Sequence, residues 1–117
     1  MALREYLSRM DSADPRRALE IMEPELRFLI VLPKGEVTGK SRDDFAAYLS
    51  GRAAVNRAHN VLRFAVDGDT EIVYGMVTDN GRLSGAFLSA AVVSPAGRIA
   101  RYQSFFTPAF QLIDWGA

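Results

Sequence analysis

Cysteine is absent from this 117-residue chain, which excludes disulfides, thiolate nucleophiles and cysteine-ligated zinc or iron–sulfur sites. Histidine occurs once, at position 59, too few for a histidine-based metal centre. Neither sign of charge predominates. Fourteen basic side chains balance fourteen acidic ones and no basic run occurs, so nothing marks a nucleic-acid surface. Long apolar runs are missing as well: the longest, Phe28 to Pro33, falls far short of the roughly 20 residues of a membrane span. The first residues carry Arg4 and Glu5 and no apolar signal core, so the expectation is a cytoplasmic protein. Internal repeats and low-complexity segments are also lacking. What is present is ordinary for a globular protein, 49% apolar and 24% charged. The length predicts one domain over residues 1–117, since two would each be too small to hold a good core. Neither a metal nor an organic cofactor is expected.

Helical periodicity comes first along the chain. Leu3, Tyr6, Leu7 and Met10 fall at i, i+3, i+4 and i+7, one face of a short helix. Asp14-Pro15 reads as a helix start, aspartate capping and proline at the first helical position. Ala18, Leu19 and Met22 then form the buried stripe of a second helix that stops before Pro24. Leu26 to Leu32 reads as a strand, and Pro33-Lys-Gly35 as a turn into a short strand ending at Gly39. Ser41-Arg-Asp-Asp44 resembles a capping box, with aspartate where glutamate is usual. The helix it opens shows Phe45, Tyr48 and Leu49 on one face and ends near Gly51 to Ala54.

The remainder reads as strands and turns. His59–Val66, Thr70–Thr78 and Leu83–Val93 are strands, joined by Asp67-Gly-Asp69 and Asp79-Asn-Gly81, both suited to positive φ. Ser94-Pro-Ala-Gly97 turns into the last strand. Its side chains alternate, with Tyr102, Ser104 and Phe106 on one face and Ile99, Arg101, Gln103 and Phe105 on the other. Rings and hydroxyls on one face suit the wall of a pocket better than a dry core. Segregated helices followed by a run of hairpins predict an α+β fold, with helices on one face of a curved antiparallel sheet.

This order resembles the nuclear transport factor 2-like superfamily, including SnoaL-like polyketide cyclases, ketosteroid isomerases and scytalone dehydratase. The resemblance rests on Tyr6-Leu-Ser-Arg-Met-Asp11-Ser-Ala-Asp14 between two helices, Val37-Thr-Gly39-Lys before the third, Asp67-Gly-Asp69 between strands, and Gly97-Arg-Ile99 opening the final strand. It covers nearly the whole chain. It implies a cone-like sheet, antiparallel or mixed, with three N-terminal helices on its concave face. It further implies a deep pocket between them and commonly a homodimer through the sheet.

Aligned on ketosteroid isomerases through the Gly-Arg-Ile turn, the chain puts Tyr102, Ser104 and Phe106 into the cone. Ser89 then stands where those enzymes hold a donating carboxylic acid, and Ile30 about where they hold the catalytic aspartate. Isoleucine cannot take a proton, so the chain does not resemble a steroid isomerase in its chemistry. The family's dehydratases are the better template: Tyr6, Asp11 and His59 stand at positions similar to their tyrosine, aspartate and histidine. Tyr74 and Met76 stand where a further histidine or acid is expected. The same register sends Phe28, Tyr48, Tyr74 and Phe87 into the cone, and an aromatic lining with few hydroxyls suits an apolar, flat or cyclic ligand.

Each candidate also has a bland reading. Leu62, Phe64 and Val66 form the apolar face of their strand and His59 shares parity with Arg63, which turns it outward unless a β-bulge intervenes. Asp14 reads as a helix cap and Asp11 as a loop cap. Tyr6 lies on an apolar helix face, where a ring is usually core. Arg101 is on the solvated face, and Asp43-Asp44 favour a helix dipole rather than a metal. Three functions therefore compete: an isomerase, cyclase or dehydratase acting on a small hydrophobic, cyclic ligand; a non-catalytic binding module; and a dimerisation domain with a vestigial pocket. The first predicts His59 or Asp11 facing a cavity with a raised or otherwise perturbed pKa, the second a cavity without titratable groups, the third a cone filled by its own rings.

Overall fold

The computed structural model describes residues 1–52 and 56–115. α1 (Ala2–Met10) is followed by a 3-10 helix (Pro15–Ile21), β1 (Met22–Leu32), β2 (Gly35–Gly39) and α2 (Arg42–Ser50). Then come β3 (Arg57–Asp67), β4 (Thr70–Asp79), β5 (Arg82–Val93) and β6 (Ile99–Thr107). The six strands form one open sheet in the order β2-β1-β6-β5-β4-β3. Every neighbouring pair is antiparallel except β1 and β6, which run parallel, so the sheet is mixed. None of the described helices is long and apolar enough to cross a membrane.

The predicted apolar stripe of α1 is the face it buries: Leu3, Tyr6, Leu7 and Met10 all join the core. Met1 gives the helix no side-chain cap; instead the buried Glu71 carboxylate of β4 accepts the Leu3 N–H at 2.9 Å. A helix N-terminus favours an acceptor of negative charge, so this one bond ties α1 to the sheet. At α2 the expected cap forms. Ser41 Oγ accepts the Asp44 N–H at 3.0 Å, while the shorter Asp44 side chain reaches back to the Lys40 N–H at 2.8 Å. Phe45 is fully buried, its ring 5.0 Å from Phe28 and 6.1 Å from Tyr6.

Two local expectations are corrected. The second helix is 3-10 rather than α, and the Asp14 side chain accepts no capping hydrogen bond from it, although Pro15 does occupy its first turn. The strand expected to begin at Leu26 starts at Met22 and runs through Pro24, so Met22 is a buried strand residue, not part of a helical stripe. α2 ends at Ser50 with Gly51 as its cap, at the near edge of the expected Gly51 to Ala54; Ala54 lies outside the described residues.

Turn chemistry sets the hairpins. Asn80 and Gly81 both take positive φ, 53° and 80°, the two-residue turn whose twist matches that of the strands it joins. Register shifts interrupt all four pairings of the core strands β1, β3, β4, β5 and β6. An extra residue bends and twists the strand that carries it, which gives the sheet its curvature. Gly75 serves the same bend: a Cβ there would meet the Asn60 carbonyl and stand 2.8 Å from the Phe87 ring. The inner face carries Val73, Val77, Phe87, Ala91 and Tyr102 against the helices. The outer face carries a cross-strand row of Tyr74, Leu88, Phe105 and Val31.

Candidate functional site

Between the helices and the inner face lies a cavity of about 320 Å³. α1 contributes Tyr6 and Met10, α2 contributes Tyr48, and the residue after α2's cap is Arg52. The sheet supplies Ile30, Leu32, Arg57, His59, Val77, Phe87, Tyr102, Ser104 and Phe106, with Pro33 and Lys34 in the β1–β2 turn. The β6 alternation read from the sequence thus has its geometric counterpart: Tyr102, Ser104 and Phe106 all border this space.

His59 borders it too, and the reason is a bulge. Val61 pairs with Gly75 and Arg63 with Tyr74, so Leu62 is an extra residue without a partner. The slip reverses the alternation between His59 and Arg63. Phe64 stays on the inner face, where it packs against the core and beneath the Arg4 guanidinium at 4.7 Å, and His59 joins that face instead of sharing Arg63's.

Asp11 holds the imidazole. Its Oδ1 lies 2.6 Å from His59 Nδ1 and its Oδ2 accepts the His59 backbone N–H, also at 2.6 Å. One carboxylate therefore clamps both the ring and the strand that bears it. The His59 and Asp11 side chains are 15% and 20% exposed, sheltered enough for such bonds to be strong. Only an Nδ1–H can donate to that carboxylate oxygen, and in that tautomer the other ring nitrogen, Nε2, lies on the far edge of the ring. The ring stands edge-on to Phe87, with centroids 5.0 Å apart.

Beside this pair are the tyrosines. The Tyr6 and Tyr102 rings are 4.9 Å apart. Burial, and then the neighbouring Tyr102, pushes the Tyr6 hydroxyl well above its ordinary range, so it stays a neutral donor. Burial also raises Tyr48, with the Arg52 charge opposing that rise. Behind Tyr102 runs a short hydroxyl chain: Ser89 Oγ lies 2.7 Å from Ser104 Oγ and 3.4 Å from the Tyr102 hydroxyl. Arg57, at the head of β3, makes a two-point ion pair with Asp79, at 2.7 and 3.2 Å. That pair holds Asp79 below the usual carboxylate range, helped by a bond from Ser84, and raises Arg57.

Of the residues expected in the cone, Tyr6, Tyr48, His59, Phe87, Tyr102, Ser104 and Phe106 meet around the cavity. Asp11 stands behind His59. Ser89 is 1% exposed and sits behind Ser104 rather than in the lining. Phe28 is buried against Phe45 in the core, not in the cavity wall. Tyr74 is the clear miss. It lies opposite Leu88 on the outer face, and its hydroxyl accepts the Leu112 N–H at 2.7 Å. Its parity is that of Ile72, not of the inward Val73 and Val77. Lys34, Arg52 and Arg57 were not anticipated. They sit in a turn, after a helix and at a strand head, positions that converge only once the cone is closed. Among the described residues no group of histidine, aspartate and glutamate could hold a metal ion. A second, more open hollow of about 510 Å³ is lined from β1, β2, β4, β5 and β6, with Phe28 and Tyr102 beside Arg27, Lys40 and Arg101. It contains none of the acid–base pair.

No protein-family model matches the sequence, and a search of the curated proteins gives no match either. Solved structures do match. A candidate ketosteroid isomerase from Kribbella flavida aligns over 99% of this chain and 87% of its own, at 15% identity and a TM-score of 0.74. A candidate polyketide cyclase from Sinorhizobium meliloti covers 88% of this chain and 92% of its own, at 17% identity and a TM-score of 0.69. A nuclear transport factor 2-like protein of unknown function from Cytophaga hutchinsonii covers 92% and 88%, at 13% identity and a TM-score of 0.67. Such identities establish shape and not activity: the chain has the curved-sheet α+β cone of the nuclear transport factor 2-like fold.

Proposed function

We propose that the protein catalyses proton transfer on a small hydrophobic ring compound, an isomerase-, cyclase- or dehydratase-type reaction. The observation that carries this reading is His59, held by Asp11 behind it, bordering a cavity of about 320 Å³. A binding module needs no such pair, and a vestigial cone would have no such space.

In this reading His59 Nε2 is the base, taking a proton from a carbon next to a carbonyl. Asp11 orients the imidazole and stabilises the imidazolium once it forms. The neutral Tyr6 hydroxyl, with Tyr102 beside it, donates to the carbonyl oxygen as that oxygen gains negative charge. Returning the proton from the imidazolium to another carbon completes an isomerisation; giving it instead to a hydroxyl on the neighbouring carbon, which leaves as water as the enolate re-forms the carbonyl and the new double bond, completes a dehydration. Ile30 occupies the opposite wall and supplies no second base, so one residue both takes and returns the proton.

The test is hydrogen–deuterium exchange at the carbons beside the carbonyl of 2-tetralone, followed by proton NMR in heavy water. The wild-type protein should accelerate exchange and His59→Ala should not, while both bind the ketone. Equal acceleration in the two proteins would remove His59 from the mechanism. Binding without acceleration by the wild type would favour the binding module. We also take the outer row as the surface of a homodimer, because Leu88 and Phe105 lie side by side there at 46% and 45% exposure. Leu88→Glu should then lower the mass seen by sedimentation, and an unchanged mass would reject that contact.

A further inference from the structure

The chain carries fourteen charges of each sign, yet the charges lining the cavity are all positive. Lys34, Arg52 and Arg57 border it, and among the described residues no aspartate or glutamate does. Arg57 is neutralised by Asp79. Arg52 is not. Its guanidinium lies 3.8 Å from Met10 Sδ and 5.8 Å from the Tyr48 ring centre. Among the described residues no carboxylate comes within 4.0 Å of Arg52 or Lys34. The Arg52 charge is felt inside, where it opposes the rise of both Tyr6 and Tyr48. The rest of the lining is largely apolar, with Ile30, Leu32, Val77, Phe87 and Phe106. An unpaired guanidinium beside an apolar hollow is a site for a planar anion, because its fork matches a carboxylate and the low-dielectric wall strengthens the attraction.

Resting on the proton-transfer reading, we propose that the ligand is a one- or two-ring carboxylic acid, its ring among Ile30, Val77 and Phe87 and its carboxylate on Arg52, with Lys34 nearby at the same cavity. Size agrees. The cavity of about 320 Å³ has room for a small bicyclic acid. The anion anchors one end of the ligand, and the reacting carbons are carried toward His59 by the length of the ring system.

The experiment compares two isosteric probes, 2-naphthoate and 2-naphthamide, by isothermal titration calorimetry. A charge-assisted contact implies roughly tenfold or greater preference for the acid. Arg52→Gln should reduce 2-naphthoate affinity to that of the amide and leave 2-naphthamide unchanged. Added sodium chloride should weaken only the acid. If Arg52→Gln proves unstable, Lys34→Ala and the salt series give the same readout. Equal binding of acid and amide by the wild type would overturn the carboxylate assignment and leave the cavity standing. Equal weakening of both probes by Arg52→Gln would do the same. Failure of both probes to bind the wild type would overturn this proposal, while the exchange at 2-tetralone decides the proton-transfer reading separately.

Discussion

Replacing Asp11 by asparagine changes one atom and should reverse the imidazole. Asp11 now accepts two hydrogen bonds, from His59 Nδ1 and from the His59 backbone N–H, each at 2.6 Å. The backbone N–H can only donate, so it fixes the asparagine carbonyl toward itself. The asparagine amide then faces Nδ1, and both would be donors. The ring escapes that clash by moving its proton to Nε2, which removes the lone pair proposed as the base. Losing a charge-assisted bond of about 1.5–3 kcal/mol and regaining a neutral one leaves a net cost of about 1–2 kcal/mol. For a chain of this size that lowers the melting temperature by about 4–10 °C. Proton-transfer activity should fall by about 10²–10⁴, the usual worth of a positioned base. The lone histidine makes the assay clean, since its two ring nitrogens give the only imidazole ¹⁵N signals in the spectrum. The wild type should carry its proton on Nδ1 and Asp11→Asn on Nε2. An unchanged tautomer, or full exchange activity in the variant, would refute the reasoning.

Three further outcomes follow from the same geometry. Deleting Leu62 removes the bulge and forces either His59 or Phe64 to the outer face; Phe64 is partly buried, so losing its contacts costs about 1–1.5 kcal/mol, below the worth of a fully buried ring, the melting temperature should fall by about 3 °C or more, and an unchanged melt with an unchanged histidine signal would show that the bulge does not turn His59 inward. Asp79 titrates below the ordinary carboxylate range in the folded state, so its pair with Arg57 stabilises the protein above about pH 4 and is lost as pH falls through the lower folded value; Asp79→Asn, measured by urea unfolding, should cost about 1 kcal/mol at pH 7 and progressively less in acid, as befits a half-exposed pair, and a pH-independent difference would contradict this. Tyr6 titrates above its ordinary value, so its contribution is complete below about pH 10 and is lost as pH rises beyond it; Tyr6→Phe should flatten the alkaline limb of the stability curve, and an identical limb would reject the assignment.

The fold was legible where the chain punctuates itself. The Leu3–Met10 stripe, Pro33-Lys-Gly35, Ser41 with Asp44, Asp67-Gly-Asp69 and Asp79-Asn-Gly81 are local signals, and each sits where its own chemistry requires. The site was legible in part for the same reason: β6 alternates regularly, so Tyr102, Ser104 and Phe106 could be assigned to one face. His59 could not, because its orientation depends on Leu62, and a bulge is a property of pairing with β4 rather than of β3 alone. Tyr74 fails from the other side. It is as bulky as a pocket residue, and only its parity with Ile72 and its contact to Leu112 reveal the outer face. The cations at the cavity come from three separate segments, which no linear pattern brings together. Phe28 has the right parity but sits too close to Phe45, whose ring fills the space in front of it.

A crystal structure of the protein soaked with 2-tetralone tests the central claim most directly, that an imidazole oriented by Asp11 faces an open, ligand-sized space. The account predicts the ketone among Ile30, Val77, Phe87 and Phe106, its oxygen toward Tyr6, and His59 Nε2 facing the carbon beside the carbonyl with Nδ1 on Asp11. A space closed by Tyr48, Phe87 and Phe106, or an imidazole turned to the outer face beside Arg63, would contradict it.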